Sequence, residues 1–114
     1  MLPDLVRVRH MRDAILEVSR FVSGRSREDL NMDRMLVLAI IKDIEILGEA
    51  ASKVSSQFRA AHPEFPWSEA IATRNRLIHG YFDINLDIVW STATEDLPPL
   101  VPLLEQIIRD EEAR

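Results

Sequence analysis

The stretch MLVLAIIKDIEILGEAASKV, residues 35 to 54, determines the helical character of this chain. Its apolar residues recur at three- and four-residue steps, the period of an α-helix that buries a face. The pattern predicts one long helix from about Asn31 to Phe58, and Leu38 and Ile41 widen the apolar stripe, so we expect burial on more than one side. The main stripe consists of Val37, Ile40, Ile44, Leu47, Ala51, Val54 and Phe58.

A shorter amphipathic helix precedes the long one and ends at Gly24. In the turn that follows, Ser26 and Asp29 have the spacing of a capping box at a helix start. The opposite face of the first helix is charged, so only one side is expected to be buried. Its apolar residues are Leu5, Val8, Met11 or Arg12, Ile15, Val18 and Val22.

Prolines and glycines divide the rest of the chain. Pro63 and Pro66 end the long helix, and a third helix is expected from about Trp67 toward His79. Gly80 stops this helix. No strand pattern, internal repeat or low-complexity tract appears.

A fourth helix follows, with Asp83 or Asn85 as its cap. The adjacent prolines at 98 and 99 remove backbone donors and clash with the preceding turn, which predicts a kink or break near Pro98. A last helical piece then contains Leu104 and Ile107. The sequence therefore predicts an all-α fold, an up-and-down bundle of about four helices with a proline-kinked last helix, in a single domain over residues 1–114.

Composition excludes several classes of protein. The chain has 114 residues, of which 46% are hydrophobic and 29% charged, the profile of a compact soluble protein rather than a disordered one. There is no cysteine, so disulfides and cysteine-based metal sites are excluded. No signal peptide or long apolar span appears, so we expect a cytoplasmic protein without a membrane partner. His10, His62 and His79 lack metal-ligand spacing, and we expect no metal and no cofactor.

The net charge of −5 argues at first against a nucleic-acid partner. The charge is uneven, however, because the residues from Asp83 onward include eight acidic and two basic ones, and the residues before it sum to +1. Such an acidic segment is either a solvated helix face or a surface for a basic partner. Candidate RNA-binding cations precede it: Arg7, Arg9, Arg12 and Arg76.

The stretch TRNRLIHGYF, residues 73 to 82, places four chemically different polar side chains near one helix end. The guanidinium of Arg74 binds phosphate, and the imidazole of His79 transfers protons near neutral pH. The amide of Asn75 can orient a neighbouring group through hydrogen bonds, and the phenol of Tyr81 can donate or accept a hydrogen bond. Asn75 and His79 share a face of an ideal helix. Together these groups suit phosphodiester cleavage.

RNA supplies its own nucleophile, so a metal-free nuclease needs a base for the 2′-hydroxyl, an acid for the leaving 5′-oxygen and a cation for the developing charge. One histidine fills one proton-transfer role at a time. A two-fold homodimer would bring two copies of His79 and Arg74 into one cleft, so the chemistry suggests a dimer.

Purely structural interpretations also remain open for the motif and for the other candidate residues. A histidine and an arginine at a helix C-terminus are favoured by the helix dipole. One alternative is therefore a scaffold protein in which the motif does nothing more than cap a helix. Glu45 and Glu49, one turn apart beside Gly48, form either a solvent-facing pair or a support in which Glu49 orients Arg74 or His79. His10 and His62 are expected to be structural or solvent-facing.

The sequence resembles the HepT-like branch of the HEPN (higher eukaryotes and prokaryotes nucleotide-binding) domains. Arg74, His79 and Tyr81 match the R-x4-H-x-Y motif of that family. The blocks EILGEAASKVSSQF, HPEFPW, RNRLIHGYFDINLDIVW and TEDLPPL resemble successive blocks of the family, from about Asp4 to Ile108.

The resemblance implies a homodimeric helical bundle with the motif at the dimer cleft. It also implies a metal-independent endoribonuclease, the toxin of a type VII-like toxin–antitoxin pair whose antitoxin is a minimal nucleotidyltransferase. In that interpretation Arg74 holds phosphate, His79 is the acid or base, Asn75 supports them, and Tyr81 is both a site residue and the target of adenylylation. The alternative is a non-catalytic module that binds a nucleotide or docks the nucleotidyltransferase.

Overall fold

The computed structural model describes residues 3–79 and 83–114, and for His79 the backbone alone. The described residues are mostly helical, which confirms the all-α prediction. The helices are α1 (Asp4–Val22), α2 (Asp29–Met32), α3 (Arg34–Lys53), α4 (Ser56–Ala61), α5 (Trp67–Leu77), α6 (Leu86–Ser91) and α7 (Leu100–Glu112). A π-helical segment, Thr92–Asp96, lies between α6 and α7. No helix in the described ranges is both long and apolar enough to cross a membrane.

The core is built around α3, which packs against both α1 and α5. Ile40, Ile44 and Leu47 of α3 are completely buried, and removing such a side chain from water contributes roughly 1.5–3 kcal/mol. In α1 the buried residue at the ambiguous position is Met11, whereas Arg12 is partly exposed. The main apolar stripes of these two helices therefore supply most of the core. The expected burial of Leu38 is wrong, because this residue is 45% exposed, and Phe58 at the end of the predicted stripe is only partly buried.

The helices α3 and α5 pack closely against each other at Gly48. A Cβ atom added at Gly48 would lie 3.4 Å from the carbonyl oxygen of Ile71 and 3.5 Å from that of Ala70. These are ordinary contact distances, so a methyl group fits here, whereas a larger side chain would meet the backbone of α5.

The predicted long helix is wrong in its extent, because α3 covers only Arg34–Lys53. At its start, the Asp33 side chain accepts a hydrogen bond from the Leu36 backbone N–H, and this bond lowers the pKa of Asp33. Asp33 itself is extended, so α2 is a separate helix. At the other end the chain leaves helical geometry at Val54 and starts again at α4.

Ser55 stabilises the break between α3 and α4. Its hydroxyl accepts a hydrogen bond from the Phe58 N–H at 3.1 Å and so caps α4. The carboxylate of Asp4 accepts two further bonds from Ser55, from the backbone N–H at 2.9 Å and from the hydroxyl at 2.7 Å. The break is thus tied to the start of α1.

The third predicted helix is also too long, because α5 ends at Leu77. Ile78 is extended, with φ −121° and ψ 121°. The two-residue strands β1 (Ile78–His79) and β2 (Asp83–Ile84) pair antiparallel, which the sequence did not predict. The expectation that Asn75 and His79 share a helix face is therefore wrong, and the expected stop at Gly80 lies outside the described residues.

The final helices follow local capping and proline chemistry. Asn85, rather than Asp83, caps α6, and its side chain accepts a hydrogen bond from the Ile88 N–H at 3.1 Å. After the π-helical segment, Pro98 and Pro99 precede α7. Leu104, Ile107 and Ile108 anchor α7 in the core.

Candidate active site

Arg74 lies on α5 beside Glu45 of α3. Its Nε atom is 3.4 Å from Glu45 Oε1, and both side chains are between a third and a half exposed. Because Gly48 lies against Ile71 and Glu45 against Arg74, α3 and α5 run antiparallel here. An ion pair this exposed adds little to stability. It places the guanidinium of Arg74 beside α3.

Arg74 and Asn75 line an open cavity of about 650 Å³ to which α1, α3 and α5 all contribute. This size is within the range of small-molecule sites. The charged and polar lining residues are Arg7 and His10 of α1, Lys42, Glu45, Glu49, Ser52 and Lys53 of α3, and Arg74 and Asn75 of α5. Four of the predicted site residues therefore line one concave site: Arg7, Glu49, Arg74 and Asn75.

The carboxylate within ion-pair distance of Arg74 is Glu45. The sequence left open a support role for Glu49 toward Arg74 or His79, and the side chain of His79 lies outside the described residues. Glu49 lies one turn further along α3 and pairs with Lys53 at 2.8 Å. The hydrogen bond and charge of Lys53, with a smaller contribution from Arg7, lower the pKa of Glu49. Glu49 thus lines the cavity as a carboxylate held by other cations. Choosing between the two residues required the register of α5 on α3, which the sequence does not contain.

The motif continues beyond this point into the part of the chain that the structure does not describe. The backbone of His79 lies in β1, two residues after the end of α5. The side chain of His79 and the whole of Tyr81 lie outside the described residues. Their predicted roles remain predictions.

The four candidate RNA-binding arginines are in different surroundings. Arg7 lines the cavity with Arg74. Arg9 pairs with Glu112 of α7 at 2.6 Å, and Arg12 pairs with Asp13 at 3.0 Å. Arg76 donates to the Thr73 hydroxyl at 3.3 Å and lines a separate hollow near the π-helical segment. The structure therefore brings only Arg7 of these four to the cavity of Arg74.

The histidines also differ. His62 is buried, and its Nε2 lies 2.7 Å from Glu111 Oε2, so its role is structural, as expected. His10 is exposed and lines the cavity. Its exposure agrees with the sequence interpretation, which did not place it beside Arg7, although Arg7 and His10 are three residues apart and so share a helix face. Within the described residues, no group of three or more histidines and carboxylates could hold a metal ion.

Asp43 is a perturbed carboxyl group that does not line this cavity. It lies on α3, is only 4% exposed, and its Oδ2 has no hydrogen-bond partner among the described residues. Burial, and then the nearby carboxyl group of Glu17 on α1, raise the pKa of Asp43 to about 7, and the charge of Arg20 opposes this. Such a shift reflects the packing of α1 on α3.

Comparison with known proteins defines the class. The family model described as "Ribonuclease HepT-like" matches residues 11–107, which include α3, the cavity-lining residues of α5 and the R-x4-H-x-Y motif. The fold and this match place the chain among helical ribonucleases. More particularly, it belongs to the HepT-like ribonuclease family, as the resemblance implied.

Individual relatives agree with this assignment. The chain is 35% identical over 95 residues to "Probable ribonuclease HepT" of Thermococcus cleftensis, covering 83% of this chain and 86% of that protein. It is 37% identical over 90 residues to "Putative RNase TTE0752" of Caldanaerobacter subterraneus subsp. tengcongensis, covering 79% and 80%. No solved structure gives a significant match.

Proposed function

We propose that this protein is a metal-independent endoribonuclease toxin whose activity is controlled by a nucleotidyltransferase antitoxin. The observation that best supports it is the position of Arg74, directed by Glu45 toward a cavity that Asn75 also lines, in a chain of the HepT-like family. A guanidinium there can neutralise an RNA phosphate.

The reaction is an internal transesterification. A base removes the proton from the RNA 2′-hydroxyl, the 2′-oxygen forms a bond to phosphorus, and the bond from phosphorus to the 5′-oxygen breaks. An acid gives its proton to that 5′-oxygen, which leaves a 2′,3′-cyclic phosphate and a 5′-hydroxyl end. Arg74 stabilises the charge that develops on the phosphorane, and His79 transfers a proton. Asn75 and Tyr81 support them.

A homodimer supplies the second proton-transfer group. Exposed apolar side chains on and just before α3 support such an interface, because Met32 and Met35 are 85% and 82% exposed and Leu38 and Ile46 are 45% and 38% exposed. Leu38 and Ile46 flank Lys42 and Glu45 on the same helix. A second copy packed there would set the two motifs near each other.

The antitoxin acts by adding adenylate to Tyr81. The added group brings a negative phosphate and considerable bulk to a site that must bind RNA phosphate. Repulsion and steric exclusion would therefore act together. The alternative is that the cavity holds a nucleotide or docks the nucleotidyltransferase without cleavage.

Expression in cells distinguishes these functions. We expect growth arrest when the chain is expressed alone and normal growth with His79→Ala at equal protein level. Co-expression with a nucleotidyltransferase from a neighbouring reading frame should restore growth and add one adenylate mass to the peptide containing Tyr81. Normal growth with the unmodified chain would contradict the toxin and favour the binding module.

A further inference from the structure

Cations without partners are concentrated at the cavity of Arg74. All fourteen lysines and arginines lie in the described residues, and most have an ion pair or a hydrogen bond from the side chain. Within those residues Arg7, Arg34 and Lys42 have neither. Two of the three, Arg7 and Lys42, line the cavity, and so does His10, which likewise has no hydrogen-bonded partner there.

The local charge is opposite to that of the whole chain. Four cations line the cavity, Arg7, Lys42, Lys53 and Arg74, against the carboxylates Glu45 and Glu49. The formal balance is therefore +2 in a protein whose net charge is −5. A concave site of one sign in a surface of the other sign concentrates anions.

From this arrangement we propose that Arg7, His10 and Lys42 form a second phosphate-binding subsite, which holds the RNA strand beside the phosphate bound by Arg74. The proposal rests on the proposed function, since it assumes an RNA substrate. These donors are available without breaking an existing ion pair, whereas Lys53 must first leave Glu49. The subsite therefore adds affinity at a lower cost than Lys53 would.

The subsite is elongated. The charge of Arg7 lowers the pKa of Glu49, so Arg7 lies near Glu49. Lys42 precedes Glu49 by seven residues of α3, which is about 10 Å along a helix. Cations spread over that length can contact more than one phosphate of a strand. We therefore expect a path for the backbone rather than a pocket for a single anion.

The rest of the lining indicates what the path recognises. No Phe, Tyr or Trp is among the described lining residues, so His10 is the ring available there for stacking. Strong base stacking needs aromatic platforms, and phosphate contacts contain no sequence information. Recognition at this subsite should therefore be tolerant of base sequence and strongly dependent on salt.

Binding of a non-cleavable RNA tests the subsite. The probe is a fluorescent 12-nucleotide oligouridylate with 2′-O-methyl groups, titrated by anisotropy at several KCl concentrations with the full-length chain. Arg7→Ala and Lys42→Ala should each raise Kd about tenfold, and each should reduce the salt slope by about 0.7. His10→Ala should raise Kd severalfold. Arg34→Ala, which removes an unpartnered cation outside the cavity, should change Kd less than twofold.

Three results would overturn the proposal. Equal losses for Arg34→Ala would indicate general electrostatics, and unchanged affinity for all variants would remove the subsite. Weaker dimerisation of Arg7→Ala and Lys42→Ala with unchanged RNA affinity would assign this face to a protein interface. Because the probe cannot be cleaved, the test is independent of catalysis: a chain that binds it through this subsite but leaves ordinary RNA intact would contradict the proposed function alone.

Discussion

The Nε atom of Arg74 on α5 lies 3.4 Å from Oε1 of Glu45 on α3. This pair connects the two helices at the edge of the cavity. In the proposed function it holds the guanidinium where an RNA phosphate would bind. The carboxylate of Glu45 would also repel that phosphate, so we expect Glu45 to orient Arg74 at some cost in affinity for RNA.

We predict that Glu45→Gln separates these two effects. Removing the negative charge should lower Kd for non-cleavable RNA about two- to fivefold, while the rate of cleavage falls because the guanidinium loses its charged anchor. Glu69→Gln, an exposed position on α5 outside the cavity, is the matched control. Weaker RNA binding by Glu45→Gln would contradict this account.

The contact at Gly48 should tolerate one methyl group and nothing larger. Gly48→Ala places a Cβ at ordinary contact distance from the Ile71 carbonyl, and alanine favours the helix by about 1 kcal/mol, so stability should be unchanged or higher. Gly48→Leu forces α3 and α5 apart and should cost about 1–3 kcal/mol and reduce cleavage. Urea unfolding of both variants measures this, and equal stability of the two would show that the helices do not meet there.

The cap at Ser55 should contribute measurably to stability. Ser55→Ala loses the bond to the Phe58 N–H and the bond to Asp4, so the free energy of unfolding should fall by about 1–2 kcal/mol. Ser52→Ala is the control, because Ser52 is exposed and its hydroxyl donates only to the Glu49 carbonyl of its own helix. An equal loss of unfolding free energy in Ser52→Ala and Ser55→Ala would contradict a specific contribution of the cap.

Asp43 predicts a specific dependence of stability on pH. Its pKa is raised from 3.8 to about 7 in the folded chain, first by burial and then by Glu17. Between about pH 4 and pH 7 the folded state therefore binds a proton that the unfolded state has released. The contribution of Asp43 to the free energy of unfolding must fall across that window as pH rises, and remain low above it.

The substitution Asp43→Asn should remove this loss. Relative to the unmodified chain, it should be more stable at pH 8 by about 1–3 kcal/mol, and the difference should shrink toward pH 5. Denaturant unfolding at the two pH values gives the comparison, with exposed Asp96→Asn as the control. A difference that grows toward pH 5 would reverse the sign and contradict the assignment.

The proposed dimer should depend on the exposed apolar side chains of α3. Leu38→Asp, at a position 45% exposed, should convert a dimer to a species of the 13.1 kDa chain mass in light scattering, without loss of helix content. Ala60→Asp, on the exposed side of α4, should leave the dimer intact. A wild-type chain that is monomeric at micromolar concentration would contradict the dimer directly.

The periodicity of apolar residues was sufficient to predict the core, but not to predict where the helices end. The stripe through Ile40, Ile44 and Leu47 is a property of neighbouring residues, and it packs as expected. The break at Ser55 depends partly on Asp4, which is 51 residues away in sequence. The extended geometry of Ile78 depends on its pairing with Ile84.

At the candidate site, too, the sequence was sufficient to predict some residues and insufficient for others. Arg74 and Asn75 were identified from their chemistry and spacing, and the cavity contains both. The presence of His10 in that cavity, and the choice of Glu45 over Glu49, depend on how α1 and α5 lie on α3. Such registers are set by packing, for example at Gly48, and not by any pattern within one helix.

The most direct test of the central claim is cleavage of a defined RNA by the purified chain in excess chelator. Arg74→Ala and His79→Ala are compared with the unmodified chain, after checks for equal folding and oligomeric state, and exposed Arg109→Ala is the control. We predict fragments ending in 2′,3′-cyclic phosphate from the unmodified chain and the control, and none from the other two variants. Intact RNA throughout, or equal cleavage by Arg74→Ala, would contradict the account.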